Sequence, residues 1–167
     1  FHKEFNFEQF EKIISYLNEL GIATVYASPV FESTPGSTHG YDTLNPHNIN
    51  PEIGTEHQLI EIARKLKQDG IGWLQDIVPN HMAFDTRNPW LRDTLEKGAR
   101  SRFASFFDID WSSDIFEGKL MAPFLGAPVE QAIRDGELKV GYRDDRLVLS
   151  YYDSHYPLNI TSYVTVF

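Results

Sequence analysis

The sequence predicts a parallel α/β fold, and three observations predict it. The order helix, glycine, strand occurs twice between residues 6 and 80; both helices open with the same cap; and both strands run into a proline and then a polar loop. Asn6 with Gln9 three residues on spells a capping box, and Phe7, Phe10, Ile13, Ile14, Leu17 and Leu20 fall on one helical face before Gly21 ends it. ATVYASPV, residues 23–30, is β-branched, aromatic and short, which reads as a buried strand. A loop rich in Pro, Gly and Asn follows to Gly54. Thr55 and Gln58 then repeat the cap, Leu59, Ile62, Ala63 and Leu66 repeat the stripe, and Gly70 repeats the stop before a second buried strand, IGWLQDIV, residues 71–78. The rhythm fails beyond residue 88. Asn88 and Pro89 open one more helix to about Lys97, residues 99–128 are aromatic and irregular, and 129–135 form a short helix. Residues 138–153 read as a hairpin turning at Asp144 and Asp145. Two regions are expected, 1–88 and 89–167.

Composition narrows the function. With 41% apolar and 14% aromatic residues among 167, the chain can bury a sizeable core. No apolar run approaches the roughly 20 residues of a membrane span and no signal-peptide order is present, so the expectation is a soluble cytoplasmic protein with no membrane partner. Zero cysteines remove disulfides, thiolate metal sites and cysteine nucleophiles together. A net charge of −9, with no run among the 15 basic residues, argues against nucleic acid and favours a neutral partner.

Two loops should carry the chemistry, because in parallel α/β folds the active site lies where chains leave the C-terminal ends of strands. The first, STPGSTHGYDTLNP, residues 33–46, joins His39, Tyr41 and Asp42 around a glycine. A tyrosine ring can stack on the apolar face of a sugar while His and Asp bond its hydroxyls; the alternative is a turn with a packed ring. The second follows QDIVPNHM, residues 75–82. Asp76 lies in a strand destined for burial and so needs a cationic or donor partner, as in a structural ion pair. Asn80 can cap the turn after Pro79 or offer an oxygen to calcium. His81 is either a satisfied structural histidine or a ligand donor. A transition-metal site from His39, His47, His81 and acids lacks any supporting ligand spacing.

DIVPNH resembles the signature at the end of the third barrel strand of the α-amylase superfamily, and HGYD resembles the motif after its second strand. Within it, SPVFESTPGSTHGYDTLNPHNINPEIGTEHQL, GWLQDIVPNHMAF and RNPWLRDTLEKGARSRFASFFDIDW are similar to the maltooligosyltrehalose synthase family. The resemblance implies part of a (β/α)8 barrel, strands 2 and 3 with their helices, followed by part of the domain inserted after the third strand. It implies that Tyr41 stacks on a sugar, that His81 bonds its primary hydroxyl region, that His39 and Asp42 line or brace the pocket, and that Asp76 and Asn80 support it. No catalytic carboxylate, metal or cofactor is expected in this segment. The implied activity is conversion of maltooligosaccharides to maltooligosyltrehalose by intramolecular transglycosylation. The alternatives are an α-amylase or 4-α-glucanotransferase, or a non-catalytic glucan-binding barrel protein. Alone, the segment is expected to be inactive, to bind α-1,4-glucans weakly and to self-associate.

Overall fold

Asn6 Oδ1 accepts the Gln9 backbone N–H at 3.2 Å while the Gln9 side chain accepts the Asn6 N–H at 3.0 Å, and helix α1 runs from there over Phe7–Glu19. These geometries come from a computed structural model that describes residues 1–166. Leu20 ends the helix and Gly21, at φ 78°, turns the chain into β1, Thr24–Ala27. The second unit of the rhythm folds the same way: Thr55 caps α2, Glu56–Gln68, through the same reciprocal pair with Gln58, and Gly70 leads into β4, Gly72–Gln75. β1 and β4 pair in parallel, Thr24 with Gly72 through Ala27 with Gln75.

Phe7, Phe10 and Ile14 of α1 and Ile62 and Leu66 of α2 form one core with Val30, Ile53 and Ile71, and Val25 and Trp73 of the strand pair pack against it. The core therefore lies on one face of the strand pair. The other face carries Tyr26 and Leu74, which are partners in register and 67% and 57% exposed. This corrects the expectation of two buried strands: apolar residues alternate to both faces, but helices cover only one. The strands are also shorter than expected. Past Ala27 and Gln75 one further bond joins Asp76 N–H to Ala27 O at 2.8 Å, and then both chains turn away.

The long loop between β1 and α2 holds an element that the sequence reading missed, an antiparallel pair of β2, Phe31–Ser33, and β3, Thr43–Ile49. Pro46 and the asparagines of β3 argued for loop. They are tolerated because the ladder is irregular, with register shifts on both sides of Glu32, and because the asparagines bond across it. Asn48 donates to Glu32 and buried Asn50 to Ser33 Oγ, each at 2.9 Å.

The chain divides into two compact units, Phe1–Ala83 and Phe84–Phe167. In the second, Asn88, fully buried, caps α3, Pro89–Lys97, by accepting from the Trp90 and Leu91 N–H groups. Short 3-10 turns and loops follow to α4, Val129–Arg134. Strands β5, Leu138–Arg143, and β6, Arg146–Tyr151, meet at Asp144 and Asp145, both at positive φ as a tight two-residue hairpin turn requires. A third strand, β7, Ser154–Pro157, pairs with β6 at the edge of this sheet. The hairpin expected over 138–153 did not include it; its Pro157 is tolerated because the strand lies at the edge of the sheet.

Candidate carbohydrate site

The β2–β3 pair serves as a stalk, and the nine-residue tip between Ser33 and Thr43 carries His39, Tyr41 and Asp42. The tip is fixed from within. Ser37 Oγ donates to Asp42 Oδ1 at 2.5 Å and accepts the Gly40 N–H at 3.1 Å, so Asp42 braces the loop. Gly40 is buried at φ 73°, and a methyl group there would stand 3.1 Å from the Pro29 carbonyl oxygen. Only glycine lets the tip lie this close to the chain leaving β1.

His39 accepts the Tyr41 N–H on Nδ1 at 3.0 Å, which leaves its proton on Nε2, and its ring stacks on Tyr41 with centroids 5.6 Å apart. Asp42 Oδ1 also approaches Nδ1, at 3.8 Å, but an ion pair there would need a proton on the nitrogen that is accepting; the shorter bond defines the neutral tautomer. Tyr41 then reaches Asp76, just beyond β4, its hydroxyl donating to Oδ2 at 3.0 Å. The Tyr26 phenol also comes close to Asp76, and interaction with that carboxylate, hydrogen bonding first, holds both phenols above their usual range.

Of the two kinds of partner expected for Asp76, cationic or donor, the described residues supply the donor: the Tyr41 hydroxyl, with the Tyr26 phenol beside it. The reason is its place: one residue past the strand, half-buried, on the side of the sheet that the helices leave open. Gln75 holds this end of the strands together. Its Nε2 donates to Ser28 O at 2.9 Å and to Asp76 O at 2.8 Å, and its Oε1 accepts from Trp73 Nε1 at 3.1 Å. Neither Gln75 nor Tyr26 was singled out from sequence. Their only signal was a polar side chain inside each otherwise apolar strand.

Asn80 and His81 are exposed in the segment that follows, and Ala83 N–H donates to Thr43 O at 3.0 Å, fastening that segment to the base of the stalk. His81 Nδ1 lies 3.1 Å from Asn80 Oδ1. An amide oxygen only accepts, so the imidazole donates from Nδ1 and its neutral form presents an unprotonated Nε2. The Asn80 side chain bonds to His81, not to the turn after Pro79 that it was expected to cap, so Asn80 orients His81. Asn80 Oδ1 is thus engaged by His81, and no group of three or more His, Asp or Glu side chains converges among the described residues.

Both loops leave the same, C-terminal end of the β1–β4 pair. The structure brings Tyr41 to Asp76 and the 79–83 segment to Thr43. It thus offers an aromatic ring, an Nε2–H donor on His39 and an Nε2 acceptor on His81, and it keeps Asp42 and Asp76 occupied with hydroxyl donors. Such a set can stack on and hydrogen-bond a polyol. Among the described residues no helix is long and apolar enough to cross a membrane.

A model of the α-amylase catalytic domain matches residues 10–124. A relative from Mycobacterium tuberculosis (strain ATCC 25618 / H37Rv), described as "Putative maltooligosyl trehalose synthase", is 37% identical over 138 residues, 80% of this chain and 18% of that protein. "Alpha-amylase 2" of Dictyoglomus thermophilum is 36% identical over 113 residues, 68% of this chain and 18% of that protein. The solved structure of maltooligosyltrehalose synthase from Arthrobacter ramosus superimposes with a TM-score of 0.83 at 34% identity, covering 96% of this chain and 20% of the other. The chain thus spans about a fifth of the length of the proteins it matches.

Proposed function

The chain belongs to the α-amylase family, and from that premise we propose that its protein converts maltooligosaccharides to maltooligosyltrehalose, with residues 1–83 supplying one wall of the glucan site. The observation that carries the choice of reaction is extent. In sequence, the likeness to the Mycobacterium tuberculosis relative takes in 80% of the chain and that to α-amylase 2 68%, and the structural likeness to the Arthrobacter ramosus synthase runs through 96% of it and so through the second unit.

In this reading the Tyr41 ring stacks on the apolar face of the glucose at the reacting position, His39 donates from Nε2 to a hydroxyl, and His81 Nε2 accepts from the primary hydroxyl. Asp76 holds Tyr41 by its hydroxyl; Asn80 sets the His81 ring; Asp42 keeps the tip in shape. The reaction is an isomerisation. The α-1,4 bond to the reducing-end glucose is broken as the rest of the chain forms a covalent glycosyl-enzyme and the acid/base protonates the freed O4; the same glucose then attacks through its anomeric oxygen, giving that proton to the base and releasing the nucleophile, which makes an α,α-1,1 link. Retaining transfer needs two carboxyl groups about 5 to 5.5 Å apart across the scissile bond. Asp42 and Asp76 are committed to Ser37 and Tyr41, so the nucleophile and the acid/base are assigned to residues other than these.

The test is product analysis with maltopentaose and an enzyme containing this segment. A non-reducing product of unchanged size supports the proposal. Shorter reducing sugars would place the protein with the α-amylases, longer and shorter ones together with the 4-α-glucanotransferases, and binding without turnover with a non-catalytic glucan-binding protein.

A further inference from the structure

The second unit contains a cleft of its own, about 410 Å³, between the turn that leads into α3 and the edge strand β7. That volume lies within the roughly 300–1,000 Å³ of small-molecule sites. One wall is Asp85, Thr86 and Arg87; the other is Asp153, Ser154 and His155, with the ring of Tyr156 as an apolar surface beside them.

Both walls are fixed. Asp85 accepts the Arg87 backbone N–H at 2.8 Å, the Nε–H shared between its two oxygens at 3.0 and 3.1 Å, and an Nη2 hydrogen at 2.5 Å. Asn88, buried and capping α3, donates its N–H to Asp85 O at 2.9 Å and anchors that turn. Opposite, His155 is held at both ring nitrogens: Nε2 accepts from Arg143 at 2.5 Å, so Nδ1 carries the proton and donates to Ser150 Oγ at 3.0 Å. Tyr156, 8% exposed, stacks on Phe124 with centroids 4.2 Å apart.

The chemistry left open selects the ligand. Asp85 and Arg87 neutralise each other, and Asp153 adds a negative charge, so an anion is repelled. A cation would find one exposed carboxylate, and no group of three or more metal-ligating side chains exists among the described residues. What remains is a mixed set: the Arg87 Nη1 hydrogens as donors, Asp153 as acceptor, the Thr86 and Ser154 hydroxyls as either, beside an aromatic ring. A neutral molecule with closely spaced hydroxyls uses all of them.

We propose that this cleft, formed within the second unit, is a second carbohydrate-binding site that holds another stretch of an α-1,4-glucan through Arg87, Asp153 and the hydroxyls beside them. The identity of the sugar rests on the glucan reading above; the polyol preference rests on the cleft. Its test is a titration of the isotopically labelled 167-residue chain with millimolar maltotriose, followed through backbone amides. Saturable shifts at 85–87 and 153–156 are expected, weakened about tenfold by Asp153→Asn and unaffected by Tyr41→Ala. The Asp153→Asn spectrum should otherwise match the parent, since asparagine suits the same turn. Shifts confined to 39–42 and 76–81 would overturn the second site and leave the first standing. Shifts confined to 85–87 and 153–156 would support it and remove the first. No shifts at all, or shifts at β7 with an extended peptide in place of maltotriose, would overturn it.

Discussion

Gly40→Ala and Gly36→Ala form a matched pair that separates conformation from contact in the loop carrying Tyr41. Both glycines have left-handed backbones, φ 73° and 81°, so alanine costs about 1–2 kcal/mol at either. At Gly36 the added methyl group meets nothing within 4 Å. At Gly40 it meets Pro29 O at 3.1 Å and Pro29 Cβ at 3.3 Å, a backbone atom and a rigid ring on a buried residue, which cannot swing aside. That overpacking adds about 1–3 kcal/mol. The expected losses are therefore about 1–2 kcal/mol for Gly36→Ala and about 2–5 for Gly40→Ala. Urea unfolding followed through the amides of α1 and α2 reads the difference, which at a slope of about 1–3 kcal/mol per molar moves the midpoint by roughly 1 M. The second readout is local. If relief comes from lifting the tip, the bond from Tyr41 to Asp76 stretches and the Tyr41 phenol falls back toward its ordinary range in Gly40→Ala only. Equal losses for the two variants, with the phenol unmoved, would refute the claim that contact with Pro29 sets the loop.

Three further outcomes are expected. In an enzyme containing this segment, His81→Ala should lower kcat/KM by about 10- to 1,000-fold while Tyr41→Phe, which keeps the stacking ring, does less; steady-state kinetics giving two negligible effects would leave both residues structural. The Tyr152 phenol, bonded to Glu137 at 2.6 Å, is pushed up to about 12, so alkaline spectrophotometric titration should show it late and Glu137→Ala should return it to the usual range. Because its folded value is raised, that bond contributes stability fully present below about pH 10, the unfolded phenol value, and lost as pH rises through about 12. Finally, the 167-residue chain should self-associate through the open face of its parallel strands, and Leu74→Lys should reduce this in sedimentation velocity; a monomeric parent chain would refute it.

The parts of the fold legible in sequence are those that local rules decide. The two capping boxes, the Asn88 cap and the turn at Asp144 and Asp145 each need only residues a few positions apart, and each forms as read. The β2–β3 pair escaped because its stability comes from cross-strand side chains, Asn48 to Glu32 and Asn50 to Ser33, that compensate for Pro46. In the site, His39, Tyr41 and Asp42 are neighbours in sequence and their mutual bonds were within reach of inspection. The bond from Tyr41 to Asp76 joins positions 35 apart and depends on the register of β1 on β4. A carboxylate at position 76 announces that it needs a partner; only the register shows that two phenols meet the need.

That register also ties the site to the open face. Tyr26 and Leu74 alternate outward from the same strands whose inner residues, Val25 and Trp73, meet the helices, and a parallel sheet is stable in water when both its faces are covered. Tyr26 is at once part of the uncovered surface and a partner of Asp76, so the rim of the candidate site and the exposed apolar face are one continuous feature. In a closed barrel the inward side chains of neighbouring strands pack in layers while the loops above them complete the pocket. Strands added beside β1 and β4 would remove Tyr26 and Leu74 from water and, in the same step, lower the local dielectric around Asp76 and its two phenols, which strengthens both interactions. Stability of the strand pair and rigidity of Tyr41 should then rise together. A protein context that buries this face is thus also the one in which the Tyr41 ring is held most firmly to Asp76.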